Sequence, residues 1–490
     1  MLKRTIILTA TTIGCCFSCL TASGQSIDPL IFPKDNFTVE TKIVKTSAGE
    51  KTVTYHSYLH ILYVAKPVDS DYQSLNVCVP VKINDVTIDA TNAPILFSIG
   101  IGGYMSVRNT GTAISRAGAG RPGGAGSLSS RDDLALAAGF VVVTPGCRGR
   151  DNKADGGTFF GKAPAAIVDL KAAIRYLRHN KGILPGNTDQ IISVGCSAGG
   201  AVSALLGTSG NSPLYGSYLG EIGAADANDN IFGSACYSPI TDLENADGAY
   251  EWMYGTYPTR SGLVDQDLSK QLKAIYADYQ LSLKLQGKNG FGLLTADNYD
   301  NYLLQYYLIP SANDYLKDLT EEKRNTYLAS NKWITWNDRG AFFVFPDYVS
   351  HVGRMKNLPA FDDFDKKQPE PVLFGNKTTD SRHFTDFSLQ HSTGDRNARI
   401  DSELKKLVNM MNANYFIREG NKDCANHWFL RNGTRDNHTS QTVMVNLAAG
   451  LENLNKKVDA ALYWDGGHCA DDDPEGMIEW MGKITNYSVN

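Results

Sequence analysis

The segment from residue 190 to residue 206 constrains this chain more than any other. Gln190-Ile191-Ile192-Ser193-Val194 is a short, nearly apolar run, as a strand buried on both faces should be. Ala198 to Leu206 is a series of small and apolar residues suited to a closely packed helix. Between them stands Gly195-Cys196-Ser197-Ala198-Gly199, the pattern G-x-S-x-G. A serine on so sharp a strand-to-helix turn must take strained dihedrals, and flanking glycines let the backbone close around it. Its hydroxyl then stands at the end of the sheet, where the helix N-terminus favours developing negative charge. Ser197 is therefore the candidate nucleophile. The plainer alternative is a glycine-rich turn that packs a helix on a strand.

The surrounding sequence predicts what that turn is embedded in. Residues 39–80 read as strands, and Pro94 to Ile99, Gly139 to Pro145 and Ile231 to Tyr237 are further short apolar runs. Ile167, Leu170, Ile174 and Leu177 fall on one helical face, with Pro164 near the first turn. Strand–helix–strand alternation of this kind predicts a mostly parallel sheet with helices on both faces. From about 240 to 420 the texture becomes helical and rich in Tyr and Asp, without obvious buried strands. The alternation resumes at His427 to Arg431, with a helix near 441–454, a strand from Val458 to Trp464, and a last helix opened by Asp473-Pro474-Glu475. At 490 residues the chain exceeds one ordinary core. One sheet interrupted by a large lid accounts for the length. The expected division is a signal peptide at 1–24, core at 25–240, a mainly helical lid insertion at 241–420, and the rest of the core at 421–490.

A nucleophilic serine needs a base, and the base needs an orienting acid, in the chain order Ser, acid, His. The candidate base is His468, in a glycine-rich loop just after the last strand; His427 and His438 read more simply as strand-end histidines. The candidate acid is Asp436, which follows the preceding strand; Asp465 lies very near His468 in sequence, and Asp423 precedes its strand. The oxyanion hole should combine the backbone N–H of Ala198 with that of Gly102 or Gly103, in the loop Gly100-Ile101-Gly102-Gly103-Tyr104. Cys196 precedes the serine and Cys469 follows the histidine. If Ser197 and His468 meet, these neighbours can reach the ~4.4–6.8 Å Cα separation of a disulfide. Closing so long a loop contributes at most about 5 kcal/mol in the chain-entropy model.

The N-terminus bears on whether such a bridge can form. Lys3-Arg4, an apolar run and the small-residue site Ala22-Ser23-Gly24 have the anatomy of a secretory signal peptide. A lipid attached at Cys15 is the lesser alternative. Cleavage would remove Cys15, Cys16 and Cys19 and leave six cysteines in an oxidising compartment, so the expected location is secreted or periplasmic. No later stretch is apolar enough to span a bilayer. With 47 basic and 52 acidic residues, nothing recruits nucleic acid electrostatically. Asp226 to Asn230 and Asp471 to Asp473 lack the spacing of a calcium loop, and Arg148 and Arg150 read as loop braces. No metal or other cofactor is expected.

Beyond these motifs the chain resembles the tannase family of α/β-hydrolase esterases. The likeness runs through Ile99 to Tyr104, Gly146-Cys147-Arg148-Gly149-Arg150, Gly161-Lys162-Ala163-Pro164, Ser197-Ala198-Gly199-Gly200 and Asn432-Gly433-Thr434-Arg435-Asp436. Cys196-Ser197, Asp436 and His468-Cys469 look like the disulfide-linked triad of fungal tannases and feruloyl esterases. Arg354-Met355-Lys356, Pro359 to Asp362 and Glu370 look like the family's galloyl-binding segment. The resemblance implies that Lys356 and Glu370 contact the ring hydroxyls of gallate, and that a third contact comes from an aspartate at the position held here by His438. It implies a serine esterase acting on small galloyl esters through an acyl-enzyme. A feruloyl or hydroxycinnamoyl esterase, a serine peptidase, and a non-catalytic binding protein on the same scaffold are the alternatives.

Overall fold

Side-chain alternation along the strands sets the layers of this molecule. The computed structural model describes residues 28–109 and 130–489. The expected signal peptide, with Cys15, Cys16 and Cys19, lies outside the described residues. Thr38–Thr46 (β1), Gly49–Leu62 (β2) and Ser74–Ile83 (β3) are consecutive antiparallel strands. Pro94–Ser98 (β4), Arg131–Ala137 (α1), Val141–Pro145 (β5), Ala165–His179 (α2), Asn187–Cys196 (β6), Ala198–Thr208 (α3) and Gly233–Tyr237 (β7) follow in alternation. Leu243–Tyr254 (α4), Phe345–Val352 (α5) and Pro369–Leu373 (α6) belong to the long connection that comes next, along with further helices. His427–Gly433 (β8), Gln441–Asn453 (α7), Lys457–Tyr463 (β9) and Pro474–Thr485 (α8) complete the order.

The main sheet runs β1-β2-β3-β5-β4-β6-β7-β8-β9. β3 meets β5 antiparallel, and every neighbour pair from β5 to β9 is parallel. Successive strand residues point to opposite faces. Ile95, Phe97, Val141, Val143 and Ile191 therefore pack with Ile167, Leu170 and Ile174 of α2 and with Val202 of α3. Leu96, Val142, Ile192 and Val194 pack on the other side with Leu134 and Leu136 of α1 and with Met477 and Met481 of α8. This is the α/β-hydrolase arrangement expected from the sequence. The strand order reverses around β4, so the loops after β4 and β6 flank a topological switch point at the C-terminal edge of the sheet.

β7 and β8 are parallel neighbours although almost the whole long connection lies between them. That connection adds no strand to the main sheet, but it holds two small hairpins, Gln286–Gly287 with Gly292–Leu293 and Thr335–Asn337 with Gly340–Phe342. Their strands run two or three residues, too short to carry a measurable period, and are mostly not buried, which agrees with a helical segment without obvious buried strands. The connection is fixed to itself by a buried ion pair between Arg354 and Glu251 of α4. Among the described residues no helix is long and apolar enough to cross a membrane.

A second buried charge set settles one of the acidic segments. Asp229 is 1% exposed, pairs with Lys171 and Arg175 at 2.8 Å each, and accepts the Asn211 amide. Its role is to neutralise α2. Asp229→Ala leaves the Lys171 ammonium buried without its counter-charge, and should cost about 3–5 kcal/mol. A urea titration of both proteins checks this as a clear fall in midpoint.

Candidate active site

Four loops at the C-terminal edge of the parallel strands build the site. β6 ends in Ser197, whose φ of 60° and ψ of −125° place it in a backbone region that L-residues rarely adopt. α3 begins at the next residue, so the serine sits at the positive end of a helix. The turn holds because Ser197 donates its amide to the Tyr237 carbonyl at 2.9 Å and accepts the Ala201 amide at 2.9 Å. A Cβ on Gly195 would overlap the Gly199 carbonyl, which is why glycine stands there.

The acid and base loops lie against each other at the ends of β8 and β9. Thr434 donates its amide to the Tyr463 carbonyl and Arg435 donates its amide to the Gly466 carbonyl, at 2.9 and 2.8 Å. Asp436 is fully buried, with one carboxylate oxygen 2.9 Å from Nδ1 of His468 and the other accepting the His438 amide at 3.0 Å. Burial works against its ionised form, but the hydrogen bond and charge of His468, with the amide and charge of His438, outweigh it and hold the carboxyl below its usual range. Cys196 and Cys469 form a disulfide with Cα atoms 5.7 Å apart, across 273 residues of sequence. The bridge joins the residue before Ser197 to the residue after His468. Cys78, Cys147, Cys236 and Cys424 are buried free thiols.

Ser197 and His468 line a cavity of about 530 Å³ together with Gly103, Ala198, Lys356, Glu370 and His438. Tyr104, Ile240, Met355 and Pro369 supply apolar wall. Gly102 is not on this wall; its carbonyl accepts the Met105 amide. Gly103, at φ 55°, has its carbonyl held by Nε of Arg150 at 2.7 Å.

The polar floor comes from the long connection. Tyr250 of α4 accepts the amides of Met355 and Lys356 at 3.1 and 3.0 Å, and Arg354 donates to the Lys356 carbonyl at 2.8 Å. Lys356 rests its ammonium 3.6 Å from the Phe361 ring centroid. Burial lowers its pKa, against the opposing pull of Glu370, Asp247 and Asp436. Burial raises the Glu370 carboxyl, against Lys356, and its Oε2 is buried without a hydrogen-bond partner. The His438 ring lies flat on the His468 ring, with centroids 3.9 Å apart and planes within 8°. Burial first, then the charge of His468, pushes its pKa down to about 4; Asp436 opposes this and Lys356 adds to it.

The remaining candidates go elsewhere. Asp465 faces His351 at 3.7 Å and donates its amide to the Thr434 hydroxyl oxygen; Asp423 accepts from Asn211; His427 stacks on Phe232. Asp471 pairs with Arg131 at 2.7 Å and Asp473 caps α8. Arg148 binds the buried Asp169 as a brace. Sequence reasoning did not single out Tyr250, Glu251 or the Arg150–Gly103 contact. They act over long separations and leave no period or motif.

Comparison with known proteins adds the following. Residues 133–275 match the family model BD-FAE. Esterase LipC of Mycobacterium tuberculosis is 34% identical over 102 residues, 21% of this chain and 22% of its own length. The chain thus spans about a fifth of the length of the curated relatives it matches. Among solved structures, a tannase from Fusobacterium nucleatum is 35% identical with a TM-score of 0.79, covering 93% of this chain and 99% of its own. A tannin acyl hydrolase in complex with ethyl gallate is 33% identical with a TM-score of 0.79, over 93% of this chain and 99% of its own.

Two measurements follow from the geometry. Replacing both Cys196 and Cys469 by alanine should lower the thermal midpoint, by up to about 5 kcal/mol of stability, and a digest of the unreduced wild type should contain the two cysteine peptides linked. Because the folded Asp436 carboxyl lies below its ordinary value of 3.8, its stabilising contribution is present above that pH and lost as pH falls through the lowered value. Wild type should therefore exceed Asp436→Asn in stability at pH 7, and the gap should close on acidification in a pH series of urea titrations.

Proposed function

The chain belongs to the tannase family, and from that premise we propose that it is an exported serine esterase that hydrolyses galloyl-type phenolic esters and releases the aromatic acid. One observation carries the reading: a buried carboxylate hydrogen-bonded to Nδ1 of a histidine, which shares with the strained serine a cavity that has its own donor and acceptor, Lys356 and Glu370. Ser197 Oγ attacks the ester carbonyl while His468 takes its proton at Nε2, because Nδ1 is committed to Asp436. The negative oxygen of the tetrahedral intermediate is held by the N–H of Ala198 at the start of α3 and by the Gly102–Gly103 loop, of which Gly103 is on the cavity wall. Collapse expels the alcohol, which takes its proton from His468. Water then enters by the same route and frees the acid from Ser197.

Lys356 and Glu370 read the aromatic acid. Adjacent phenols offer both donors and acceptors, and a cation beside a carboxyl answers both. The unpartnered Glu370 oxygen supports this, since a buried acceptor left open in the free protein gains most from a donor on the substrate. The segment 241–420 acts as the lid that carries them, with 25–240 and 421–490 as the core. The disulfide supports an oxidising compartment. The substrate is a small molecule.

Incubation with methyl gallate should release gallic acid, and Ser197→Ala should abolish it, with a loss of about 10⁶-fold. A fluorophosphonate probe should label Ser197 covalently. No adduct would sink the enzyme reading, and release of ferulate in place of gallate would move the enzyme to the hydroxycinnamoyl esterases.

A further inference from the structure

His438 lines the cavity beside the triad, whose chemistry assigns it no step. Its backbone is tied down by Asp436, which accepts its amide at 3.0 Å. Its ring is fixed by the parallel stack on His468. In that arrangement one ring face is covered, and the nitrogens are offered edgewise. Neither ring nitrogen has a protein partner among the described residues, and the residue lines the cavity beside Lys356 and Glu370.

The groups around it keep it neutral. Burial disfavours the imidazolium, the His468 ring is stacked on it, and the Lys356 ammonium is close; only Asp436 pulls the other way. A second charge on the stack would oppose the imidazolium that His468 must become during the reaction. A neutral imidazole has one N–H donor and one acceptor nitrogen and exchanges them by tautomerisation. Asn357 and Gln368 also line the cavity, but Lys356, Glu370 and His438 differ in kind. Lys356 only donates, an ionised Glu370 only accepts, and His438 does either.

That difference decides which ring substituents are tolerated. A phenol hydroxyl needs an acceptor for its proton and offers its oxygen to a donor. An aryl ether keeps the oxygen and loses the proton, so it needs a donor alone. A carboxylate would leave the ether oxygen unpaired and face it with like partial charge, whereas an imidazole turns its N–H toward it. Met355 and Ile240, on the same wall, give an O-methyl group apolar surface.

We propose that His438 is a specificity-determining residue that lets this site accept esters of O-methylated phenolic acids as well as those of free catechols and pyrogallols. The proposal rests on the phenolic-ester reading of the same cavity and narrows it.

The test uses two esters that differ by one methyl group, methyl 3,4-dihydroxybenzoate and methyl 4-hydroxy-3-methoxybenzoate, and reads the ratio of their kcat/KM values. A ratio cancels any general damage to the triad. Wild type should turn over the methoxy ester within about tenfold of the dihydroxy ester. His438→Asp should lose a further factor of about ten or more on the methoxy ester relative to the dihydroxy one. His438→Gln, which keeps a donor and an acceptor, should restore a ratio near that of wild type. Equal ratios in wild type and His438→Asp would overturn the proposal, as would a wild type more than about 100-fold poorer on the methoxy ester. If wild type hydrolysed 4-nitrophenyl acetate but neither aromatic ester, the phenolic-acid reading itself would fall, and this proposal with it.

Discussion

The parallel pairing of Gly233–Tyr237 with His427–Arg431 is the constraint on which the site depends. The chain leaves the sheet at one strand and returns as its immediate neighbour, in register, after the longest excursion in the molecule. Because neighbouring parallel strands end on the same edge, that register places the loop 434–438 at the same edge as the turn that carries Ser197. β9 then pairs with β8 and delivers the base loop to the same edge. The disulfide between Cys196 and Cys469 closes this arrangement covalently. It links the ends of β6 and β9 at the level where the loops of Ser197 and His468 emerge.

The excursion supplies part of the cavity wall at this edge. Buried contacts within it, Arg354 to Glu251 and Tyr250 to the amides of Met355 and Lys356, hold the Lys356 backbone fixed. Its ammonium and the Glu370 carboxyl are each drawn toward the neutral form by burial and back toward the charged form by the other. The cavity therefore holds a donor and an acceptor that offset each other's burial. His438, held neutral by its surroundings, extends the same character up to the base.

Some of this was legible in the residues alone. Gly195-Cys196-Ser197-Ala198-Gly199 announces a strand, a strained turn and a helix, because only that local geometry needs small residues on both sides of a serine. The period of Ile167, Leu170, Ile174 and Leu177 and the apolar runs around residues 95, 142, 192 and 234 state the layers of the core. Asp473-Pro474 announces a helix start, and the Asp473 side chain caps it. Other parts were not legible. The two short hairpins of the connection carry no period, and the Tyr250 and Arg150 contacts join residues far apart in sequence whose types recur all over the surface.

The sequence by itself determined the elements, their alternation and the short list of chemically able residues, since backbone strain, side-chain period and capping act within a few positions. Only the tertiary structure decided what those residues do to one another. It brought the carboxylate of Asp436, and not that of Asp465 or Asp423, to 2.9 Å from the His468 ring. It laid His438 on His468, a relation that no spacing implies, since the two residues sit in loops that follow separate strands. It also left Glu370 with a buried oxygen and no partner, because burial and hydrogen bonding are sums over the whole fold.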